Sequence, residues 1–324
     1  MTISLGIDLG GTNLRAASFG DSDTPLEIHK EEVGGDRDPQ AIVARIARCA
    51  EKLAANAPGQ IPLGVGIAAM LRDFHGTVSN SPHLRWRDVP FGLLLNERLG
   101  SRFRIGVYND VNAITWGESV AGAARGFRDV LAVYVGTGIG GGVIANNKLL
   151  EGASNCAGEI GHTKVRWDDG AAQCNCGQRG CVEAYVGGSY ILKRIQKELS
   201  EKKTRSVVVK LADGLEHVTP SHVDEAAAAG DDWAFGLWSE LAPMLAVALG
   251  NALAVLNSSR LILGGGLLSR TPTLLSMTEI ALMITTPVAT LEPLTIAMAE
   301  LGDDAGLLGA ARLASSGVSI INAN

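Results

Sequence analysis

The chain has 324 residues, 46% of them hydrophobic and 19% charged, with a net charge of −6. That length holds two domains with sizeable cores, in the composition range of soluble globular proteins. The acidic balance excludes a general nucleic-acid binder, which needs a basic stripe, though small anions can still be held by local glycine turns.

Ile3–Asp8 reads as an apolar strand. The turn Gly10–Asn13 and a returning strand Leu14–Phe19 complete a hairpin. The early Asp8 and the lack of a basic leader argue against a secretory signal. Pro39–Ala57 has helical spacing, with Ile42, Ile46 and Leu53 on one face. Leu63–Ile67 and Arg104–Tyr108 are strands, and Asn109-Asp110 opens a helix to about Ala121. Val130–Val135, the turn Gly136–Gly140 and the return Gly141–Ala145 repeat the opening hairpin, which predicts two related half-folds facing each other. A helix is expected at Ala184–Lys203, then a polar loop region. A long apolar helix follows at Asp232–Asn257, then a strand Leu261–Leu263 running into Gly264–Gly266, and a final helix at Ala305–Ala314. Within the long helix, Leu241–Leu256 is interrupted by Pro243 and Asn251, so it is expected to fall short of a membrane span. Alternating strands and helices predict an α/β chain, with a boundary near Gly117–Gly126.

Forty glycines are many, and they cluster. Asp8 leads into Gly10, Gly11, Thr12 and Asn13, which read either as a plain hairpin turn or as a turn whose N–H groups bind phosphate. No Gly-Lys-Ser/Thr follows, and a strand rather than a helix comes next, so neither common nucleotide fingerprint applies. Gly136, Thr137 and Gly138 form a second turn of similar design. Gly264, Gly265 and Gly266 read as an approach for adenine or ribose, or equally as a helix-entry turn. Asn109 and Asp110 read as an N-cap or, for Asp110, as a general base aimed into the crevice at a strand's C-terminal end.

Five cysteines, three of them bunched, suit a reduced compartment better than a disulfide framework. His162, Cys174, Cys176 and Cys181 make a complete tetrahedral set for zinc, closed and therefore structural. Glu159 and Glu183 flank it, so the metal would clamp a loop carrying two acids, and that loop's folding would depend on it. Cys49 and Cys156 lie outside the pattern and read as buried thiols.

The order of these segments resembles the ROK family (repressors, open reading frames, sugar kinases) of the actin-like ATPase superfamily, from Gly6 to the last helix. Within it the resemblance points to the bacterial glucokinases. It implies a two-lobed, ribonuclease H-like fold with the active-site cleft between lobes. One lobe would span residues 1–117 with 304–324 packing back on it, and the other 118–303. It further implies a cytoplasmic, homodimeric enzyme of glycolysis and carbohydrate metabolism. ATP phosphates would lie at Gly10–Asn13 and Gly136–Gly138, and adenosine at Gly264–Gly266. Mg²⁺ would bridge the phosphates, with Asp8 acting on it through water. Asp110 would take the proton of a hexose 6-hydroxyl. Asn109, Glu159, His162 and Glu183 would contact the sugar, and His162 would serve zinc with its other ring nitrogen. Such a site needs positioning and charge stabilisation above all.

Two departures from the family pattern bear on the sugar. Gly66-Ile-Ala68-Ala69 stands where relatives carry Pro-Gly. Pro82-His83-Leu84-Arg85-Trp86 lacks the Asn that contacts sugar in many relatives, so His83 substitutes as a donor, Asn80 takes the role, or the contact is lost and His83 is a surface loop residue. Glucose is the expected acceptor. Mannose, fructose, allose, N-acetylglucosamine and N-acetylmannosamine are the alternatives, as are polyphosphate or ADP as donor. A sugar-binding repressor is the remote alternative, since repressors of the family carry a helix-turn-helix before the first phosphate turn. Neither nucleic acid nor membrane is an expected partner.

Overall fold

Two β-hairpins organise the chain, and each seeds a sheet. The computed structural model describes residues 3–201 and 204–321. β1 (Ser4–Leu9), β2 (Asn13–Phe19) and β3 (Pro25–Glu32) form an antiparallel meander. α1 (Pro39–Leu53) follows, and its start is fixed by Asp38, whose carboxylate accepts from the N–H groups of Gln40 and Ala41. Its buried stripe is Ile42, Val43, Ile46, Cys49, Ala50 and Leu53. β4 (Ile61–Ile67) runs parallel to β1. A small antiparallel sheet of β5 (Met70–Leu71), β6 (Val78–Ser81) and β7 (Trp86–Val89) comes next. α2 (Phe91–Leu99) then leads to β8 (Phe103–Asn109), parallel to β4, and α3 (Asp110–Ala121) starts at the strand's end.

The second hairpin is β9 (Val130–Val135) and β10 (Ile139–Ala145), extended by β11 (Lys148–Leu149). The expected helix Ala184–Lys203 is instead two, α4 (Glu183–Val186) and α5 (Gly188–Ser200), split at Gly187; Lys203 lies outside the described residues. The stretch read as a polar loop region carries α6 (Val208–Leu211) and α7 (Pro220–Ala228). α8 (Asp232–Leu256) is capped by Asp231 and ends on Asn257 in the left-handed conformation, φ 49°. β12 (Arg260–Gly264), α9 (Pro272–Thr285), α10 (Val288–Leu291), β13 (Thr295–Met298) and α11 (Ala305–Ser316) complete the chain.

The large sheets have orders β3-β2-β1-β4-β8 and β11-β10-β9-β12-β13. Numbered by strand within each, both read third, second, first, fourth, fifth. The repetition expected from two glycine-threonine hairpins is thus a repetition of topology.

Two compact units divide the chain. The first comprises residues 1–128, 142–158 and 299–324; the second comprises 129–141 and 159–298. In the first unit α11 lies on β1, β4 and α3, and Leu307, Leu308 and Ala311 pack on Ala17 and Phe19. A fully buried carboxylate supports this unit. Glu118 accepts from the N–H of Ala123 at 2.8 Å, and from those of Glu300 and Leu301 at 3.0 and 2.9 Å, so its charge is met by three donors.

In the second unit α8 buries Leu237, Trp238, Leu241, Leu245, Leu249 and Leu253 and packs on α7 and α9. At 25 residues it is long and apolar enough, by length and composition, to cross a membrane. That corrects the expectation of a stretch too short to span: the helix runs through Pro243 and Asn251 without a break. Cys49 is buried as expected, whereas Cys156 is only half-buried and donates to the Leu71 carbonyl at 2.8 Å.

Candidate active site and metal module

In the first unit the turn after β1 is held by its carbonyls. Gly10 N–H donates to Asn13 O at 3.0 Å, and Val33 N–H to Thr12 O at 2.8 Å. Arg37 Nη1 donates to Gly11 O at 2.6 Å, and Trp86 Nε1 fixes the Arg37 backbone through its carbonyl, also at 2.6 Å. With three carbonyls bound to protein donors, the turn is set to offer N–H groups and the Thr12 hydroxyl to an anion. Gly11 is required by close approach, because a Cβ there would sit 2.7 Å from His83 Cβ. His83 is exposed and packs beside this turn.

Asp8 ends the inward run of β1. Burial pushes its carboxyl up to about 6; the Arg15 guanidinium opposes the shift and Asp303 adds to it. Arg15 is itself held by the Asp304 carboxylate at 2.7 Å and by the Asp303 carbonyl.

Asn109 and Asp110 stand where parallel β8 meets α3. Asn109 fills the N-cap role: Oδ1 accepts from Val111 and Asn112 N–H at 2.9 and 3.2 Å, and Nδ2 donates to Ala69 O at 3.2 Å. One amide hydrogen is left for a ligand. Asp110 is half-buried, and its Oδ1 accepts from its neighbour's N–H at 3.0 Å. A carboxylate in the first turn of a helix is favoured by the helix dipole. The cap reading of this corner thus falls on Asn109, with the Asp110 carboxylate beside it.

In the second unit the turn between β9 and β10 has the same logic. Gly136 N–H bonds Gly138 O at 2.9 Å, while Gly188 and Ser189, opening α5, donate to the carbonyls of Gly136 and Thr137 at 2.9 and 3.0 Å. Ile139 N–H donates to Glu183 Oε2 at 2.8 Å. At the end of β12, Gly265 has φ +91° and a Cβ there would lie 2.4 Å from Val135 O. Gly264 and Gly265 therefore pack against β9, and Gly266 is exposed.

Glu159 precedes a single helical turn, Ile160–His162. His162 Nε2 lies 3.8 Å from Glu159 Oε2, and Nδ1 lies 3.8 Å from Cys174 Sγ. Cys176 and Cys181 sulfurs are 3.6 Å apart. One donor atom from each of His162, Cys174, Cys176 and Cys181 falls within 4.8 Å of the others. An imidazole and three thiols so gathered fit a tetrahedral borderline metal. The loop between them is pinned by Cys174 N–H on Gln178 O, and by Tyr185 and Tyr190 hydroxyls accepting from Ala172 and Asn175 N–H at 2.7 Å each. Lys164 Nζ donates to Cys181 Sγ at 3.0 Å, an ammonium placed against a sulfur-rich group. Burial pushes the Cys174 thiol up to about 12. Burial also raises Glu159, opposed by His162 and reinforced by Glu183.

Two contributors carry little sequence signal. Arg37 stands between Asp36 and Asp38 at a helix cap, and nothing local marks it as a clamp on a turn 26 residues earlier. The pair Gly187-Gly188 sits inside a run read as continuous helix; two adjacent glycines were the available cue.

A profile of the ROK family matches residues 4–316. The chain is 31% identical over 317 residues to a glucokinase of Streptomyces coelicolor, covering 97% of this chain and 98% of that one. It is similar to the crystal structure of a ROK family glucokinase from Streptomyces griseus in complex with glucose and AMPPNP, at 29% identity and a TM-score of 0.76, covering 97% and 99% of the two chains. It is also 27% identical over 266 residues to a xylose repressor of Caldicellulosiruptor bescii, covering 80% of this chain and 65% of the repressor. Family match, near-full-length kinase similarity and the repeated sheet topology agree: the chain belongs to the ROK family and is a sugar kinase with the two-lobed actin-like ATPase fold.

Proposed function

We propose that the protein transfers the γ-phosphoryl group of ATP to the 6-hydroxyl of a hexose, glucose first among them. The observation that carries this reading is the corner at Asn109 and Asp110, a carboxylate held at the end of a parallel strand by a capped helix start. Asp110 accepts the 6-hydroxyl proton as the oxygen attacks the γ-phosphorus; the bond to the β-phosphate oxygen breaks and ADP leaves. Gly10–Asn13 and Gly136–Gly138 supply N–H donors to the phosphates, and Gly264–Gly266 border the adenosine. Asp8 would help hold Mg²⁺ arriving with ATP, and the ion would offset phosphate charge. Glu159, His162, Glu183 and the remaining Asn109 hydrogen read sugar hydroxyls. Sites built to pair hydroxyls reject sugars lacking them. His83, packed on Gly11, is a further donor for the acceptor sugar.

His162, Cys174, Cys176 and Cys181 hold a structural Zn²⁺. Nδ1 of His162 faces the sulfurs and Nε2 faces Glu159; a metal on Nδ1 would leave Nε2–H for a carboxylate or a sugar. A second copy of the chain covers the apolar stripe of Ile280, Met283 and Ile284, exposed along one side of α9.

The test is a coupled ADP-release assay with Mg-ATP, polyphosphate and ADP as donors and a hexose panel as acceptors. Glucose-dependent ADP release supports the reading. A higher kcat/KM for an N-acetylhexosamine replaces the sugar. No turnover with any pair, together with tight sugar binding by calorimetry, replaces the kinase with a sugar-binding regulator.

A further inference from the structure

A second group of ligating side chains lies in the first unit, on β3 and α1, and includes none of the residues assigned above to nucleotide, sugar or zinc. His29 and Glu31 stand two apart on β3 and so share one face of the strand. Cys49 belongs to the buried stripe of α1. An imidazole nitrogen, a carboxylate oxygen and a thiol sulfur from these three lie within 4.8 Å of one another, with His29 Nε2 at 3.5 Å from Glu31 Oε2. The other carboxylate oxygen, Glu31 Oε1, is shielded from solvent and has no hydrogen-bond partner among the described residues. A shielded acceptor without a donor is rare in folded proteins and asks for a partner.

We infer that His29, Glu31 and Cys49 form a second metal site, for a borderline divalent transition ion such as Zn²⁺ or Co²⁺. The donor set decides the class. Thiolate and imidazole ligands disfavour Mg²⁺ and Ca²⁺, which take oxygen. Three protein ligands leave a fourth position for water. Bond lengths near 2.0–2.3 Å require the donors to close to about 3–4 Å from one another. β3 is the edge strand of its sheet, so its side chains can turn without disturbing a neighbouring strand on that side. Charge also balances, since the Glu31 carboxylate and the Cys49 thiolate match a divalent ion. Arg48 and Lys52 are the nearby cations; Arg48 is exposed, and Lys52 leans toward Glu27 at 4.0 Å. Metal binding must expel the thiol proton.

The experiment titrates Co²⁺ into the purified, zinc-loaded protein and follows thiolate-to-cobalt charge-transfer absorption. One further ion per chain with that absorption is expected. Cys49→Ser should abolish it and Cys156→Ser should leave it intact. His29→Ala, at a half-exposed strand position, should weaken cobalt uptake by more than about tenfold with an unchanged circular dichroism spectrum. Absence of the absorption in the unaltered protein overturns the site, as does its persistence in Cys49→Ser, which would report exchange at the three-cysteine module. If Cys49→Ser does not fold, unchanged cobalt affinity in His29→Ala overturns it alone.

Discussion

The backbone N–H of Ile139 donates to the carboxylate of Glu183 at 2.8 Å. A side chain assigned to the sugar thereby holds the strand that leaves the second glycine turn. Both ends of the proposed transfer meet in one residue. Glu183→Gln keeps an acceptor oxygen and loses the charge, so it should raise the hexose KM about tenfold, the value of one charge-assisted hydrogen bond, with little change for ATP. Glu183→Ala removes the acceptor too, and the ATP KM should then rise as well. Steady-state kinetics on both variants check this, and equal effects on ATP would break the assignment.

Asp110→Asn preserves size and removes the base. A loss of roughly 10²–10⁴ in kcat is expected, the range for an acid/base group, with ATP affinity unchanged by calorimetry. Near-normal turnover would take Asp110 out of the proton transfer.

Asp8 makes stability depend on pH in the ligand-free protein. Burial lifts its carboxyl from 3.8 to about 6, so between about pH 4 and 6 the folded state binds the proton that the unfolded state has released. Stability from this group is complete below pH 4 and lost as pH rises through 6. Two pKa units correspond to about 3 kcal/mol. Asp8→Asn should lack this pH dependence, so the difference in Tm between the two proteins should change from pH 4 to 7 in favour of the variant. Parallel curves would refute it.

Zinc removal should act on the loop rather than on the whole chain. Stripping the metal with a chelator, or Cys181→Ser, is expected to release about one Zn²⁺ per chain, expose residues 159–183 to proteolysis and raise the hexose KM by about tenfold or more. Metal analysis with limited proteolysis decides it; an unchanged cleavage pattern would show that the loop holds without metal.

Ile284→Glu places a charge in the exposed apolar face that a second copy is proposed to cover. Isolated charges in such contacts are poorly tolerated, so the variant should sediment at half the mass of the parent with its fold intact. Equal masses would move the interface elsewhere.

Much of this was legible because it is local. Hairpins announce themselves through Gly-Thr turns between apolar runs, and the gathering of His162 with three cysteines through their spacing. The Asn109-Asp110 corner is a strand end and a helix cap in consecutive letters. What stayed hidden depends on tertiary contact. β3 reads Pro-Leu-Glu-Ile-His-Lys-Glu-Glu, too polar to look like a strand, and is one only because it is an edge that needs little burial. The break at Gly187 exists because Gly188 and Ser189 bond to a turn some fifty residues earlier.

Glu118 binds the N–H groups of Glu300 and Leu301, and the first unit is closed by residues 299–324. During synthesis the second unit has its full complement once residue 298 has emerged. The part made first must wait, with two of the three donors to Glu118 still missing, until α11 has left the ribosome. Its folding therefore follows that of the second unit, and a chain cut before residue 299 would leave the N-terminal half without α11.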